Sequence, residues 1–584
     1  MKIIRGIAVS PGVAIGSAVV LDTEGYRLAE RHVEPGQVVA EVARLRDALQ
    51  VAARAARESQ SAVADKLGQQ VGDIFGAHAQ LLEAPTVSRE AESLIREQLL
   101  SAESAVSRVI GRYTSALTAL GHDNRFASRS ADLLDVEKRV LDQLLGQRRE
   151  QLKNRPGPLV LVAHDLTPSE TAGLDPTRVH AFVTEAGGRA SHTAIMAGAL
   201  DIPAVVGVGP FLADITDGAT LIVDGNHGVL ILDPDPATLE QYRTARAVFQ
   251  SRHSSLRDEL RHRPAITADG HRVRLLGNIE FPHEAPYCLE HGAEGVGLYR
   301  TEFLYLGKDT DPSEEEHFEA YLQVLKALGP DQPVVIRTLD LGADKFSMPS
   351  WNVQPEKNPF LGMRSIRLCL SNLTLFKTQL RAILRASAFG DVRILFPMVS
   401  TLMELRHCKL ILQEVREDLG DEGIAYNRAM RIGTMIEVPS AAIIADLLAR
   451  EVDFFSIGTN DLIQYTLAAD RTNENMAGLY NPADPAVLRL IKMVIDAARG
   501  SNIEVNICGE MSGDPLFTLL LLGMGLTQLS LTPHNIPEIK TIIRSVTLAE
   551  AARVADEVMR LEAARDVTNY LRDQTRRLLP DAVD

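Results

Sequence analysis

The feature that most constrains the fold is a series of eight short, apolar segments rich in β-branched residues, which begins after about residue 263. The segments are residues 273–279, 295–299, 334–337, 392–396, 432–436, 454–457, 503–507 and 527–531. Most are followed by a helix-forming stretch, and eight strand–helix units in roughly 300 residues are typical of a (β/α)8 barrel. A doubly wound open sheet is the alternative, but it fits this number of units less well.

Polar side chains directly follow several of these predicted strands. In a (β/α)8 barrel, the carboxyl ends of the strands and the loops after them form the face that carries active sites. The residues at or just beyond the predicted strand ends are Arg300, Arg337, Asp340, Glu437, Asn460, Asp461, Cys508 and Glu510. We therefore expect these side chains to meet at one end of the barrel.

The charged side chains in this set suit an anionic ligand and a metal ion. Arg300 and Arg337 can each bind a phosphate or carboxylate through two parallel hydrogen bonds, and Arg471 can add a third cation. Glu437 and Asp461 offer hard oxygen ligands, which fit magnesium bridged by a ligand phosphate. The alternative is that both carboxylates form structural salt bridges with the same arginines.

Cys508, at the end of the seventh predicted strand, has two interpretations. A single buried cysteine can be an inert part of the core. Beside an anionic ligand, however, a thiol can exchange protons near neutral pH, which makes Cys508 a candidate proton donor to a carbon atom.

A second candidate site lies in residues 184–197, which are centred on His192. Gly187 and Gly188 follow an apolar segment, Ser191 is a suitable helix N-cap, and helix-forming residues come after it. The unpaired N–H groups and the helix dipole of a first helical turn favour negative charge. His192 is therefore placed to accept and hold a phosphoryl group; the alternative is a histidine that only bonds the backbone of a capping turn.

The residues before the barrel fall into three kinds of sequence. Residues 1–23 and 150–236 contain short strand-like segments and are predicted to form one α/β domain. Residues 24–149 are rich in Ala, Leu, Glu and Arg with apolar positions at helical spacing, which predicts a helical bundle inserted into that domain. Residues 237–262 are polar and helix-forming, which indicates a helical linker to the barrel at 263–584. The chain is thus expected to be a multidomain α/β protein.

Composition narrows the class of protein. A formal net charge of −16 argues against a nucleic-acid-binding surface and leaves room for a basic protein partner. The four cysteines lie far apart without a CxxC pair, which indicates neither a zinc site nor a disulfide framework and fits the cytoplasm. No stretch is long and apolar enough to predict membrane insertion, and two short strands around the turn at Pro11 and Gly12 explain the N-terminus better than a signal segment.

Several motifs resemble those of phosphoenolpyruvate-utilising enzymes. Residues 187–197, with Ile202-Pro-Ala-Val-Val-Gly after them, resemble the phosphohistidine signature of these enzymes, and residues 453–471 resemble their second signature. Three further runs agree with the family: Gly295-Val-Gly-Leu-Tyr-Arg-Thr-Glu-Phe-Leu, Asn358-Pro-Phe-Leu-Gly-Met-Arg and Cys508-Gly-Glu-Met-Ser-Gly-Asp. Over nearly the whole chain, domain order and length resemble the Enzyme I family of the bacterial phosphoenolpyruvate:sugar phosphotransferase system.

This resemblance implies a role for each candidate residue. His192 is expected to be phosphorylated by phosphoenolpyruvate, Thr171 to help position it, and Cys508 to protonate the enolate so that pyruvate forms. The residues expected to bind the substrate are Arg300, Arg337, Asn460, Asp461 and Arg471. Those expected to hold Mg²⁺ are Glu437 and Asp461.

The resemblance also implies partners and leaves two alternative functions. The inserted helices are expected to dock HPr, the histidine-containing phosphocarrier protein that takes the phosphoryl group from His192, and the barrel is expected to form a homodimer. One alternative is a phosphoenolpyruvate synthase or dikinase, although such enzymes carry a large ATP-binding domain before the histidine domain and only about 150 residues stand there. The other alternative is a purely regulatory phosphotransferase, which would use the same chemistry.

Overall fold

A computed structural model describes residues 1–21, 32–67, 85–119, 157–164, 178–187, 202–215, 218–305, 311–341, 358–471 and 478–578, with a few single positions between these ranges. The chain divides into two compact units, one built on an N-terminal sheet with helices and the other on a C-terminal barrel. The main boundary lies between Tyr242 and Arg243, within a long helix.

The first unit contains an eight-stranded mixed sheet. Its strands are β1 (Lys2–Arg5), β2 (Ile7–Ser10), β3 (Val13–Leu21), β4 (Leu159–Ala163), β5 (Val179–Thr184), β6 (Ala204–Val206), β7 (Thr220–Asp224) and β8 (Val229–Leu232). Their order is β1-β8-β7-β3-β4-β5-β6-β2, and β3 pairs in parallel with β4. The N-terminal strands therefore share one sheet with the strands that follow the helical segment, as expected. The two strands that flank Pro11 and Gly12, β2 and β3, lie apart in the sheet and are not a hairpin.

Within the described residues, three helices follow β3: α1 (Val38–Leu67), α2 (Pro85–Gln98) and α3 (Ala102–Ala119). Their apolar positions recur at helical spacing, and fully buried side chains such as Leu45, Ile95 and Val106 form a common core. A further helix, α4 (Pro236–Leu260), begins at a proline in its first turn and leads into the second unit.

The second unit contains a closed barrel of eight parallel strands. They are β10 (Arg272–Ile279), β11 (Val296–Tyr299), β12 (Val334–Arg337), β13 (Val392–Phe396), β14 (Arg431–Ile436), β15 (Phe454–Ile457), β16 (Glu504–Ile507) and β17 (Gln528–Leu531), preceded by the short β9 (Ala265–Ile266). Each strand pairs with the next, and β10 pairs with both β11 and β17, which closes the barrel. The (β/α)8 prediction is confirmed, and each predicted segment overlaps one strand.

Helices follow most of the barrel strands. They are α5 (Ala285–Glu290), α6 (Glu314–Leu328), α7 (Ser365–Ser371), α8 (Leu373–Ala386), α9 (Leu402–Asp421), α10 (Pro439–Ile443), α11 (Ala445–Leu448), α12 (Thr459–Leu467), α13 (Pro485–Gly500), α14 (Pro515–Met524), α15 (Ile536–Ser545), α16 (Leu548–Val558) and α17 (Ala564–Leu578). Helices α6 and α9 start at capping boxes, in which Ser313 and Thr401 accept hydrogen bonds from backbone N–H groups of the first turn. In the described ranges, no helix combines the length and the apolar character needed to cross a membrane.

Candidate active site

The carboxyl ends of the barrel strands bring the predicted side chains to one face. Arg337 is the last residue of β12, whereas Arg300, Glu437 and Cys508 directly follow β11, β14 and β16. Asp461 lies in the first turn of α12, just after β15. Because all eight strands are parallel, these strand ends surround the same mouth of the barrel.

Arg337 lies at the centre of a buried charge cluster. Its Nη2 donates a hydrogen bond to Oε1 of Glu302 at 2.8 Å, and its Nη1 lies 2.9 Å from Oδ2 of Asp340. Burial alone would lower the pKa of Arg337, but the charges of Asp340, Glu302 and Glu437 outweigh burial and raise it. Arg337 is therefore a fixed cation, and its Nε has no hydrogen-bond partner among the described residues.

A further arginine, Arg364, joins two of the carboxylates, although the strand-end pattern does not predict it. Its Nη2 donates to Asp340 at 3.1 Å, and its Nη1 donates to Asp461 at 3.3 Å and to the Tyr465 hydroxyl at 3.2 Å. Arg364 is buried, and Ser365 after it adopts a positive φ of 56°. In the sequence, Arg364 is indicated only by the motif that ends with it, because the residue does not lie at the end of a strand.

Asp461 also faces Arg471, with Nη1 of the arginine 3.9 Å from Oδ2 of the aspartate. The structural alternative considered for the carboxylates, a salt bridge to an arginine of the site, is therefore present at Asp461. Beside it, Asn460 donates through Nδ2 to Oε1 of Glu510 at 3.0 Å, and the backbone N–H of Glu510 donates back to Oδ1 of Asn460 at 3.2 Å. These two hydrogen bonds thus connect the start of α12 to the turn that follows β16 at the barrel mouth.

Glu437 is also buried, but its contacts differ from those of Asp461. Its Oε1 accepts a hydrogen bond of 2.6 Å from the backbone N–H of Met398, and a side chain at Gly458 would come within 2.7 Å of its Oε2. Burial, followed by the nearby charges of Asp340 and Asp461, raises the pKa of Glu437 to about 8.

This carboxylate environment fits a hard cation. In the part of the chain that the structure describes, no three His, Cys, Asp or Glu residues are grouped so that they could hold a metal ion on their own. Glu437 and Asp461 are nevertheless close enough for the charge of one to disfavour ionisation of the other. A divalent cation would stabilise both as anions, provided that a ligand supplies the remaining oxygens, as in many magnesium sites.

Cys508 lies in the barrel interior with its thiol in a defined environment. Its Sγ accepts a hydrogen bond from the Ser456 hydroxyl at 3.1 Å, and Asn278 donates to its backbone carbonyl at 3.1 Å. Burial raises the pKa of Cys508 to about 11, although the Ser456 hydrogen bond and the charges of Arg337 and Arg300 oppose this rise. The side chain is therefore a protonated thiol at neutral pH and can act as a proton donor.

Arg300 is paired with Glu280, a residue that the predicted site does not include. Ile279 of β10 lies opposite Tyr299 of β11, and the backbone N–H of Arg300 donates to the Ile279 carbonyl at 2.9 Å. Glu280 and Arg300 are the next residues on these two strands, and Nη1 of Arg300 binds Oε1 of Glu280. The strand-end rule, applied to the predicted strand at 273–279, would have found Glu280.

His192 and Thr171 lie outside the described residues, so their predicted roles stay predictions. The described residues include the start of the His192 segment, where β5 ends at Thr184. Just beyond it, Glu185 accepts hydrogen bonds from the backbone N–H groups of Phe211 and Leu212 at 2.7 and 2.9 Å. Gly187 has a φ of 105°, a conformation that favours glycine at this turn.

Three protein-family models match separate parts of the chain. The model described as "PEP-utilising enzyme, N-terminal" matches residues 5–129, and "PEP-utilising enzyme, mobile domain" matches residues 156–228. The third, "PEP-utilising enzyme, PEP-binding domain", matches residues 254–548, which include the barrel and the site described above.

Three curated relatives that share one name are similar to this chain over nearly its whole length. The phosphoenolpyruvate-protein phosphotransferase of Geobacillus stearothermophilus is 43% identical and covers 98% of both chains. That of Staphylococcus carnosus (strain TM300) is 41% identical over 98% of this chain and 99% of the relative. That of Bacillus subtilis (strain 168) is 40% identical over 98% of this chain and 100% of the relative.

Proposed function

Because this chain belongs to the family of phosphoenolpyruvate-utilising enzymes, we propose that it takes the phosphoryl group of phosphoenolpyruvate onto His192 and passes it to a histidine of an HPr-type carrier protein. Pyruvate is the second product, and the reaction is the first step of a sugar phosphotransferase system. The observation that carries this proposal is the barrel mouth, where buried arginines, carboxylates and a protonated thiol meet.

The arginines account for binding of a ligand that carries both a phosphate and a carboxylate. Arg300, Arg337 and Arg471 present three guanidinium groups, and Nε of Arg337 and of Arg471 has no hydrogen-bond partner among the described residues. Asn460 and the backbone of Asp461 complete the substrate contacts. In a buried site, such preorganised cations stabilise the charge that spreads over the phosphoryl oxygens during transfer.

Enzymes of this family use a divalent metal ion, and we assign Mg²⁺ to Glu437 and Asp461. When bound, the ion neutralises charge on the phosphate oxygens. Both side chains are buried carboxylates at the barrel mouth, and each is a hard oxygen donor. Arg364 donates a hydrogen bond to Oδ1 of Asp461, and this contact would hold the carboxylate so that its other oxygen is oriented for the metal ion.

Cys508 supplies the proton that completes pyruvate. Transfer breaks the bond between phosphorus and the enol oxygen and forms a bond between phosphorus and a ring nitrogen of His192, so an enolate is left. The Cys508 thiol gives its proton to the terminal carbon of that enolate, and the Ser456 hydroxyl stabilises the thiolate until solvent returns a proton. Thr171 is proposed to position the imidazole of His192.

Two partners complete the proposal. The helices within residues 24–149 are proposed to dock HPr, and the barrel is proposed to form a homodimer. Light scattering after size-exclusion chromatography would test the dimer, and a truncated chain limited to residues 263–584 would test whether the barrel alone forms it.

The decisive experiment uses the full chain with phosphoenolpyruvate labelled in its phosphoryl group, together with Mg²⁺ and HPr. We expect label on His192 and then on HPr, with one pyruvate per phosphoryl group transferred. His192→Ala should abolish both transfers, whereas His262→Ala, at an exposed histidine of the barrel unit, should leave them unchanged. Label on the His192→Ala protein at a similar rate would contradict the proposal. Formation of phosphoenolpyruvate from ATP and pyruvate would favour a dikinase instead.

A further inference from the structure

The pair formed by Arg300 and Glu280 places a carboxylate on a cation that the proposed substrate needs. Glu280 is 4% exposed, and the side chain of Arg300 is 19% exposed. Arg300 is also close enough to Cys508 and Glu302 for its charge to lower the pKa of each. The guanidinium therefore faces the barrel mouth and is held by Glu280 at the same time.

A second buried carboxylate, Glu284, lies directly beside Glu280. Its Oε2 accepts hydrogen bonds from the backbone N–H groups of Glu280 and Phe281 at 2.7 and 3.0 Å, while its Oε1 has no partner among the described residues. Burial, followed by the charge of Glu280, raises the pKa of Glu284 to about 8. Glu280 and Glu284 thus form a carboxylate pair, and among the described residues the cation that acts on it is Arg300.

The neighbouring elements offer this pair little further charge. Tyr299 of β11 and Cys288 of α5 are buried, and the pKa of each is raised first by burial and then by charges that include Glu284. Helix α6 packs on the turn that holds Glu284 and carries the buried Tyr321, while the turn with His534 packs on β10. Of these groups, only Arg300 is a fixed cation, so loss of its charge would leave the pair uncompensated.

We propose that Glu280 is a displaceable counter-ion of Arg300, so that binding of an anionic phosphate at the barrel mouth is coupled to uptake of one proton by the Glu280–Glu284 pair. The phosphate recruits the guanidinium, and Glu280 is left buried beside a second carboxylate and an anionic ligand. A buried carboxylate without its cation takes up a proton. The inference rests on the proposed function only for the identity of the ligand, phosphoenolpyruvate.

Proton uptake makes ligand affinity depend on pH in a defined direction. If one proton is taken up with each ligand, the dissociation constant rises about tenfold for each pH unit in the range where the free pair is ionised. The phosphate of phosphoenolpyruvate is fully ionised above neutral pH and adds no slope of its own there. Replacing Glu280 with an uncharged side chain of the same shape removes the group that must be neutralised, so affinity should become nearly independent of pH.

The test measures binding of phosphoenolpyruvate to the full-length His192→Ala variant, which prevents turnover, in saturating Mg²⁺ from pH 7 to pH 9. Titration calorimetry in two buffers of different ionisation enthalpy gives the number of protons taken up. This His192→Ala protein is the background, and it is compared with three double variants that also carry Glu280→Gln, Glu284→Gln or Glu294→Gln. Glu294 accepts a 2.5 Å hydrogen bond from the exposed Arg272 and is the matched control outside the site.

The background and the Glu294→Gln control should take up close to one proton at pH 9 and about half a proton at pH 8, where Glu284 of the free protein is already about half protonated. Glu280→Gln should take up roughly a third or less and bind about tenfold more tightly than the background at pH 9, with affinities within about threefold at pH 7. Glu284→Gln should also reduce proton uptake. Because Glu437 is unchanged in all variants, its titration cancels in the comparison. Thermal melting of each variant establishes that it is folded.

Three outcomes would count against these ideas, and they are distinguishable. Equal proton uptake in the background and in Glu280→Gln would overturn the inference. Weaker binding of phosphoenolpyruvate by Glu280→Gln at every pH would also overturn it, because Glu280 would then only orient Arg300. Failure of the background protein to bind phosphoenolpyruvate at any pH would contradict the proposed function itself.

Discussion

Arg337→Gln should destabilise the barrel strongly, and the loss should depend on pH. The arginine binds Glu302 and Asp340 at 2.8 and 2.9 Å, and all three side chains are nearly inaccessible to solvent. Removing one partner from a buried ion pair leaves an uncompensated charge and typically costs about 3–5 kcal/mol. Each kcal/mol lowers the melting temperature of a domain of about 150–250 residues by roughly 2–4 °C, so we expect a fall of about 6–20 °C, toward the lower end for this longer barrel.

The sign of the pH dependence follows from Glu302. Burial raises the pKa of Glu302 in the folded protein, and Arg337 opposes that rise. Without Arg337, the folded pKa rises further, so the folded variant binds more protons than the unfolded chain and loses stability as pH increases through that pKa. The penalty of Arg337→Gln should therefore be largest near pH 8 and shrink toward pH 5, where the carboxyl groups can be protonated.

Calorimetric melting of the full-length protein at several pH values measures both effects. The matched control is Arg272→Gln, which removes an arginine from the exposed pair with Glu294 and should cost within about 1 kcal/mol at every pH. A loss for Arg337→Gln no larger than that of Arg272→Gln would refute the buried-pair reasoning. A large loss that does not change with pH would refute the assignment of the cost to unpaired carboxylates.

Two further predictions concern buried titratable groups. Cys508→Ala should slow pyruvate formation by about 100-fold or more and change the affinity for phosphoenolpyruvate by less than about threefold. Single-turnover quenching measures the rate and titration measures the affinity. Equal turnover would reject the thiol as proton donor. Lys540, whose Nζ donates to the carbonyls of Leu260 and Gly292 at 3.0 Å each, has a pKa lowered by burial to about 8. Because the pKa of Lys540 is lower in the folded than in the unfolded state, the stability of the wild type relative to Lys540→Met should rise by roughly 2 kcal/mol between pH 8 and pH 10. Chemical denaturation at several pH values measures this difference. A difference that does not change with pH would contradict a buried, titrating lysine.

The barrel could be predicted from the sequence because its strands are covered on both faces. Such strands appear as short continuous apolar runs, and every predicted run overlaps a strand of the barrel. Parallel strands also fix which end carries the loops that follow them, so the positions of Arg337, Glu437 and Cys508 followed from the strand boundaries alone. The rule works because strand direction, once set, places distant residues together without any knowledge of loop conformation.

The residues that the sequence did not predict act through partners that only the folded chain brings together. Glu302 lies in a 3-10 turn after β11, and Arg364 lies well beyond the end of β12, and neither position has a repeating pattern. Their importance comes from ion pairs with Arg337, Asp340 and Asp461, which depend on loop paths. Glu280 differs, since it stands at a strand end and carried the same signal as its neighbours.

The N-terminal turn shows a related limit of local sequence signals. Pro11 and Gly12 correctly indicate a turn between two strands, but a turn does not determine which strands pair. β2 pairs with β6, and β3 pairs with β4 and β7, so all three partner strands come from residues far along the chain. Strand pairing at that distance is decided by burial of whole faces of the sheet, which a short motif cannot encode.

The balance of charge at the barrel mouth connects the metal, the substrate and the proposed proton. Among the described residues, the buried carboxylates of the cluster exceed its guanidinium groups by two. The carboxylates are Glu280, Glu284, Glu302, Asp340, Glu437 and Asp461, and the guanidinium groups are those of Arg300, Arg337, Arg364 and Arg471. In the proposed reaction, phosphoenolpyruvate would bring three negative charges above neutral pH and the assigned Mg²⁺ two positive charges, so binding both would add one negative charge to a buried site. One proton on the Glu280–Glu284 pair would restore the original balance. Under these proposals, the acidic cluster keeps its arginines in place in the free protein, while the metal ion and the proton together allow an anionic substrate to replace part of it.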